Sequence, residues 1–244
     1  MQSDRADLDS AVEVFVSAFS MLKSRTYPYV PTKVEDLWVM QDHPPRKKNR
    51  KIEVIATEIE PSEAIAQVNR ADLGWHFMCH IHPDDSDFER IRAEYKAAGY
   101  RAMSREIMFV HDLAEIPNFG AETPIIQVQT PEQLKAIPQR ADHSRSWYDN
   151  TRLYCAHDDL QDFGWVRSVP VGQDAWVSDL FVHAIDRGRG YGRALMSTLL
   201  QGDKAAGVRR SVLLASSDGA RLYPHLGYKK IATLQMFCPL SRTK

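Results

Sequence analysis

"HAIDRGRGYGRALMSTLLQ", running from His183 to Gln201, carries the reading of the whole chain. Gly188, Gly190 and Gly192 alternate with Arg187, Arg189 and Tyr191, Arg193 follows, and an amphipathic helical pattern begins within the run. Glycine weakens any regular element, and arginines at a helix start oppose the positive end of the dipole. Both costs make sense when something anionic docks there. A glycine-rich turn between a strand and a helix leaves amide N–H groups converging on one spot, and missing side chains let a bulky anion approach them. The arginines fork onto further oxygens. The stretch therefore predicts a diphosphate cradle between the strand "DAWVSDLFV" and the helix "YGRALMSTLLQ".

Two common diphosphate loops do not fit. A P-loop needs GxxxxGK[ST], which the chain does not contain. A dinucleotide fingerprint needs GxGxxG, and here Arg193 stands where the third glycine belongs.

The chain has 244 residues and a formal net charge of -1, so no general attraction to nucleic acid is implied. Cys79, Cys155 and Cys238 are too scattered for a disulfide framework or a CxxC metal site, which favours a reducing compartment. The opening "MQSDRADLDS" is polar, and no apolar run approaches the length of a membrane span. A soluble, cytoplasmic protein with no membrane or nucleic-acid partner is expected.

Apolar spacing from Leu8 to Leu22 predicts a helix, and "VEDLWVM" a second, shorter one. "KIEVIATEI" reads as a strand, "PSEAIAQVNRA" as a helix, "WHFMCHI" as a strand, "SDFERIRAEYKAAG" as a helix and "YRAMSREIMFV" as a strand. "HDLAEIPNFGAETP" has linker composition. Beyond it follow the strand "IIQVQ", the helix "PEQLKAIPQRA" and the strands "TRLYCAHDD", "DFGWVRSV" and "DAWVSDLFV". After the cradle come the strand "RRSVLLAS", the helix "DGARLYPHLG" and the strand "YKKIATLQMFCPL". "YKAAGYRAMSREIMFV" from Tyr95 echoes "YPHLGYKKIATLQMFC" from Tyr223, which predicts two related α/β halves, 1–120 and 121–244.

Arg187-x-x-Gly190-x-Gly192 resembles the coenzyme-A pyrophosphate loop of the GNAT superfamily of N-acetyltransferases. "WVSDLFVHAIDRGRGYGRAL" looks like that family's fourth strand and third helix, and "LLASSDGARLYPHLGY" like its later strand and helix with the Tyr-x-x-x-Gly-Phe/Tyr motif. The resemblance covers roughly residues 125–240 and implies a mixed α/β fold, with a central mixed β-sheet flanked by helices, in tandem GNAT-like halves. The family often carries Asn at the start of its fourth helix, where this chain has Ser216 and Ser217.

The same resemblance implies an acetyl-CoA-dependent N-acetyltransferase acting on a small-molecule amine, as monomer or homodimer. Its cosubstrate would lie between splayed strands, held by backbone groups of Phe181 and Val182, by Arg187, Arg189, Gly190, Tyr191, Gly192 and Arg193, and by Ser216. Tyr223 matches the family's general acid, and Asp179 stands where relatives place a base. Asp179 alternatively orients Arg167 or binds the substrate ammonium, and His183 and His225 are further candidate bases. A non-catalytic acyl-CoA-binding or sensing protein would keep the loop without needing Tyr223.

At the corresponding place in the first half, "IEPSEAIAQVNRA" has no glycine, and Glu58, Glu60 and Glu63 surround the helix start. Carboxylates at the positive pole repel pyrophosphate, so this half is expected to be degenerate and not to bind CoA. His76, His80 and His82 share a strand face while Cys79 points away, which reads as a buried strand rather than a metal site. "RKKNRK" reads as a solvated loop, with a contact to the CoA 3′-phosphate or an anionic partner as the other reading.

Overall fold

The computed structural model describes residues 2–83, 88–138 and 146–240. The first half runs α1 (Gln2–Lys23), β1 (Tyr29–Val34), β2 (Leu37–Asp42), β3 (Ile52–Thr57), α2 (Pro61–Arg70), β4 (His76–His82), α3 (Phe88–Ala97) and β5 (Tyr100–His111). The second runs β6 (Ile125–Val128), α4 (Pro131–Ala136), β7 (Arg152–His157), β8 (Asp162–Val171), β9 (Asp174–Val182), α5 (Tyr191–Ala205), β10 (Arg210–Ser216) and β11 (Lys229–Pro239).

By contacts the chain divides into two compact units. The first takes the described residues up to Met108, Leu214–Asp218 and those from Lys230 on; the second takes Phe109–Leu213 and Gly219–Lys229. The final strand thus joins the unit built mostly from the first half.

In the first unit the strands follow the order β1-β2-β3-β4-β11-β5. β3 and β4 are parallel, while β1–β2, β2–β3 and β4–β11 are antiparallel. Its core gathers Leu37, Val39, Val54, Met78, Tyr95 and Phe237. The helix expected at "VEDLWVM" is instead the hairpin of β1 and β2, turning through Glu35 and Asp36. Leu37, Val39 and Met40 pack inward from β2, and that burial overrides the short helical pattern. β1 is an edge strand, where Pro31 leaves no ladder bond unmade.

The second unit orders its strands β10-β9-β8-β7-β6. α5 packs on β7, β8 and β9 through a stripe of Tyr191, Ala194, Leu195 and Leu199. Each fully buried leucine there contributes about 1.5–3 kcal/mol relative to exposure.

Two expected helices are cut short by proline. α4 ends at Ala136, and Ile137 is extended ahead of Pro138; residues 139–141 of that expectation lie outside the described ones. "DGARLYPHLG" makes two single turns of 3-10 helix, Gly219–Arg221 and Tyr223–Leu226. Pro224 lacks an N–H and its ring would collide with a carbonyl one α-turn back, so a continuous α-helix cannot form.

Gly164 of β8 is fixed by close approach to β9: a Cβ there would sit 2.3 Å from the Phe181 carbonyl oxygen. Gly164→Ala is expected to destabilise the fold by about 1–3 kcal/mol, as overpacking against backbone does. Gly120→Ala, where no atom lies within 4 Å of the new methyl, serves as the control. Denaturant titration of both variants checks this; equal midpoints would show that β8 and β9 separate freely.

Candidate active site

The Arg–Gly run becomes a short 3-10 turn, Ala184–Asp186, then an open loop, then α5. Gly190 is the N-cap at φ 88°, a left-handed conformation that glycine adopts without penalty. The first helical bond runs from the Ala194 N–H to the Gly190 carbonyl at 3.1 Å, so the amides of residues 191–193 point out of the helix start. Val182, Arg187, Gly188, Gly190, Gly192 and Arg193 line a cavity of about 310 Å³ at that point. A Cβ on Gly190 would meet nothing within 4 Å, and one on Gly192 only Leu222 at 3.7 Å and Val182 at 4.0 Å. At Gly190 the left-handed backbone itself calls for glycine, whereas at Gly192 a side chain would meet only ordinary contacts, so the bareness of Gly192 is not required by packing.

The three arginines have different fates. Arg187 donates from Nε to the Val182 carbonyl at 3.1 Å. Arg189 binds Asp186 and Glu122, each at 3.0 Å, and does not line the cavity. The Arg193 guanidinium lies 5.7 Å from the Phe119 ring centre. Tyr191 is buried, its ring stacked on Phe163 at 4.8 Å and 8°.

The strand feeding the loop has an incomplete ladder. β9 and β10 pair in parallel at Asp174/Arg210, Ala175/Ser211 and Trp176/Val212, and the register goes no further, although β9 continues to Val182. On the other side, Trp165 faces Phe181 while Arg167 faces Ser178. One extra residue is therefore carried by β9, a bulge at Asp179 and Leu180, with Asp179 at φ 57°.

Beside the bulge lies a second cavity, of about 320 Å³, lined by Ser146, Tyr148, Trp165, Arg167, Asp179 and Phe181 among others. Arg167 is almost wholly buried and donates to Asp179 Oδ2 at 3.2 Å, to the Thr151 hydroxyl at 3.0 Å and to the Ser146 carbonyl at 2.7 Å. Of the residues lining this cavity, the sequence pointed to Asp179 and Phe181 as site residues and to Arg167 as a partner of Asp179; Tyr148 and Trp165 carry no sequence signal.

Residues 149–230 match the family model of the acetyltransferase (GNAT) domain. The likeness to that family model is confined to this stretch, about a third of the chain. A mycothiol acetyltransferase of Beutenbergia cavernae is 34% identical over 103 residues, which cover 38% of this chain and 33% of the relative. The match thus spans about a third of that relative's length. Among solved structures, a GCN5-related N-acetyltransferase from Kribbella flavida overlays with a TM-score of 0.64 at 14% identity, covering 95% of each chain. One from Sphaerobacter thermophilus gives a TM-score of 0.55 at 16% identity, over 83% of this chain and 76% of its own. These two likenesses concern the fold.

Within the matched stretch, Tyr223 opens the second 3-10 turn and is buried, with its ring 5.6 Å from Phe109 and 5.5 Å from Tyr228. Burial pushes its phenol up to about 12. Its neighbour Leu222 lines the loop cavity. His183 is buried and its Nε2 lies 3.1 Å from Asp162 Oδ2, so the ring fastens the end of β9 to the start of β8. His225 is exposed, and Ser216 ends β10.

The first half differs at the equivalent place. β3 and β4 pair from Ile52/His76 through Thr57/Ile81, and the Glu58 amide extends the ladder to the Ile81 carbonyl at 3.1 Å. Glu60 caps α2 and pairs with Arg90 at 2.7 Å, and Glu63 of its first turn pairs with Arg70 at 2.8 Å. Tyr95, the sequence counterpart of Tyr223, lies in α3, stacked on Phe237 at 4.2 Å with its hydroxyl 3.1 Å from His80. His76 likewise meets the Tyr100 hydroxyl at 2.9 Å. In "RKKNRK", Arg46 and Arg50 bind the buried Asp42 at 2.8 and 2.5 Å, so part of that charge is internally neutralised.

Gly192→Asp places a carboxylate at the helix start, its Cβ meeting only Leu222 at 3.7 Å and Val182 at 4.0 Å. It is expected to weaken acetyl-CoA binding at least a hundredfold, about 2.8 kcal/mol. Calorimetry at matched thermal stability checks this, and an unchanged affinity would remove the loop from cofactor recognition.

Proposed function

We propose that the chain transfers the acetyl group of acetyl-CoA directly to the primary amine of a small molecule. The observation that carries this reading is the conjunction at the end of β9: a ladder to β10 that stops at Trp176, followed by the glycine-lined cavity at the start of α5. The match of residues 149–230 to the acetyltransferase family model supports it.

On this reading the amides of residues 191–193 and the Arg187 side chain hold the diphosphate, with Arg189 steadying the loop through Asp186. Backbone groups of Phe181 and Val182 pair with the pantetheine arm and polarise the thioester carbonyl. Ser216 contributes at the end of β10. An arriving ammonium gives one proton to Asp179, or to solvent through it, and the free amine attacks the thioester carbon. The C–N bond forms as the C–S bond breaks, and Tyr223 protonates the departing thiolate. The nitrogen's second proton returns the tyrosine to its neutral form through solvent, so each turnover releases one net proton.

The first half, residues 1–120, serves on this reading as a degenerate GNAT-like half without a CoA site. The fully paired β3–β4 ladder and the glutamates around α2 support that assignment.

Release of free thiol from acetyl-CoA with a panel of primary amines, with mass detection of the acetylated product, tests the activity. Tyr223→Phe is expected to lower kcat about a hundredfold, a general-acid contribution, while acetyl-CoA affinity stays the same. Because the phenol is raised to about 12, its competent, protonated form is present at neutral pH and is lost only as pH climbs towards that value. The wild-type kcat profile is therefore expected to rise with amine deprotonation and stay level through about pH 9.5. A falling limb near pH 8 that disappears in Tyr223→Phe would assign the tyrosine a different role.

A further inference from the structure

The cavity beside the β9 bulge has a charge arrangement that limits what it accepts. Arg167 is directed inward: three of its N–H groups are taken by Asp179, Thr151 and Ser146, and its guanidinium lies 4.5 Å from the Tyr148 ring centre. With its side chain 1% exposed, it offers little to an incoming anion. Asp179 is the reverse case, with a side chain 48% exposed. Its Oδ2 receives Arg167, and its Oδ1 carries no hydrogen bond among the described residues. The charge presented outward is thus a carboxylate held in place by a buried cation.

Three of the other lining residues are aromatic, beside Ser146 and Leu180. Trp165 and Phe181 stack at 4.5 Å and 29°, and Tyr148 stands opposite on the Arg167 guanidinium. Aromatic faces favour both apolar bodies and ammonium groups. At about 320 Å³ the space is at the low end for ligand sites, enough for a ring and a short arm.

We infer that the acceptor is a monocationic primary amine with an aromatic or comparably apolar body, its ammonium on Asp179 and its body among Tyr148, Trp165 and Phe181. The inference rests on the proposed acetyl transfer. An amino acid would bring a carboxylate beside Asp179, and the one cation among the described lining residues, Arg167, is buried and already bonded. A polyamine would need a second acid, and Asp179 is the one carboxylate among the described lining residues. An amino sugar would set a ring of hydroxyls against aromatic carbon.

The test uses the full chain, acetyl-CoA and four acceptors: 2-phenylethylamine, phenylalanine, spermidine and glucosamine. 2-Phenylethylamine is expected to show a kcat/KM at least tenfold above each of the others. Tyr148→Ala is expected to raise its KM at least threefold with kcat retained, and Tyr148→Phe to keep the wild-type KM. Phenylalanine, spermidine or glucosamine matching or exceeding 2-phenylethylamine would overturn the inference and leave acetyl transfer intact. An unchanged KM in a well-folded Tyr148→Ala would overturn the aromatic wall. If calorimetry shows acetyl-CoA binding but no amine releases thiol, the proposed activity fails and this inference with it.

Discussion

A hydrogen-bond ladder that ends early governs the second unit. A strand inside a sheet must satisfy each N–H and C=O, and the inexpensive way is a neighbouring strand. β9 does this with β10 for three residues and then leaves the register, six residues before it ends. The same β–α–β arrangement in the first half keeps pairing to Thr57 and Ile81, and Glu58 adds one bond more. Backbone groups already joined to a strand are closed to a ligand amide; those past the end of the register are the ones a ligand can engage. Ladder length thus separates the two halves more sharply than their lining residues do.

What draws β9 away can be read on its other edge. The bulge at Asp179 and Leu180 adds a residue to β9 alone, which increases local twist. Gly164 lets the β8 backbone come close enough for Phe181 to be held, and His183 pins the end of β9 to Asp162. The Arg167–Asp179 pair holds the bulged residue from beneath. β9 therefore bends towards β8 because its contacts lie there.

Much of this was legible in the sequence, for identifiable reasons. The strands and long helices follow from apolar period, and the loop from its alternating glycines, two of which hold left-handed backbone. The β1–β2 hairpin was not legible, because four apolar residues from Leu37 to Met40 fit a helical turn as well as a strand, and only burial beside β3 decides. The stretch at Tyr223 has helical composition, but Pro224 breaks it into separate 3-10 turns. The aromatic wall of Tyr148 and Trp165 could not be found, since a bulge depends on the register of two strands, which neither strand encodes alone. Charge pairing is also invisible in the sequence: Arg189 looks like a phosphate ligand there, and the structure pairs it with buried Asp186 and exposed Glu122.

That last point changes the physics assigned to the cradle. With Arg189 paired to Asp186 and Glu122, the positive potential at the loop comes from Arg187 and Arg193 together with the backbone amides and the α5 dipole. Amides are fixed by the helix they begin, whereas arginine side chains reorient at an entropic cost. The amide part of the site therefore holds its geometry with little reorganisation, and β9 extends that rigidity to the neighbouring cavity. Asp179 to Phe181 line one cavity and Val182 begins the other, so a single anchored strand sets the spacing between them. On the proposed reading, donor and acceptor meet at a distance that the β8–β9 register fixes, and positioning of this kind is what a direct transfer most requires.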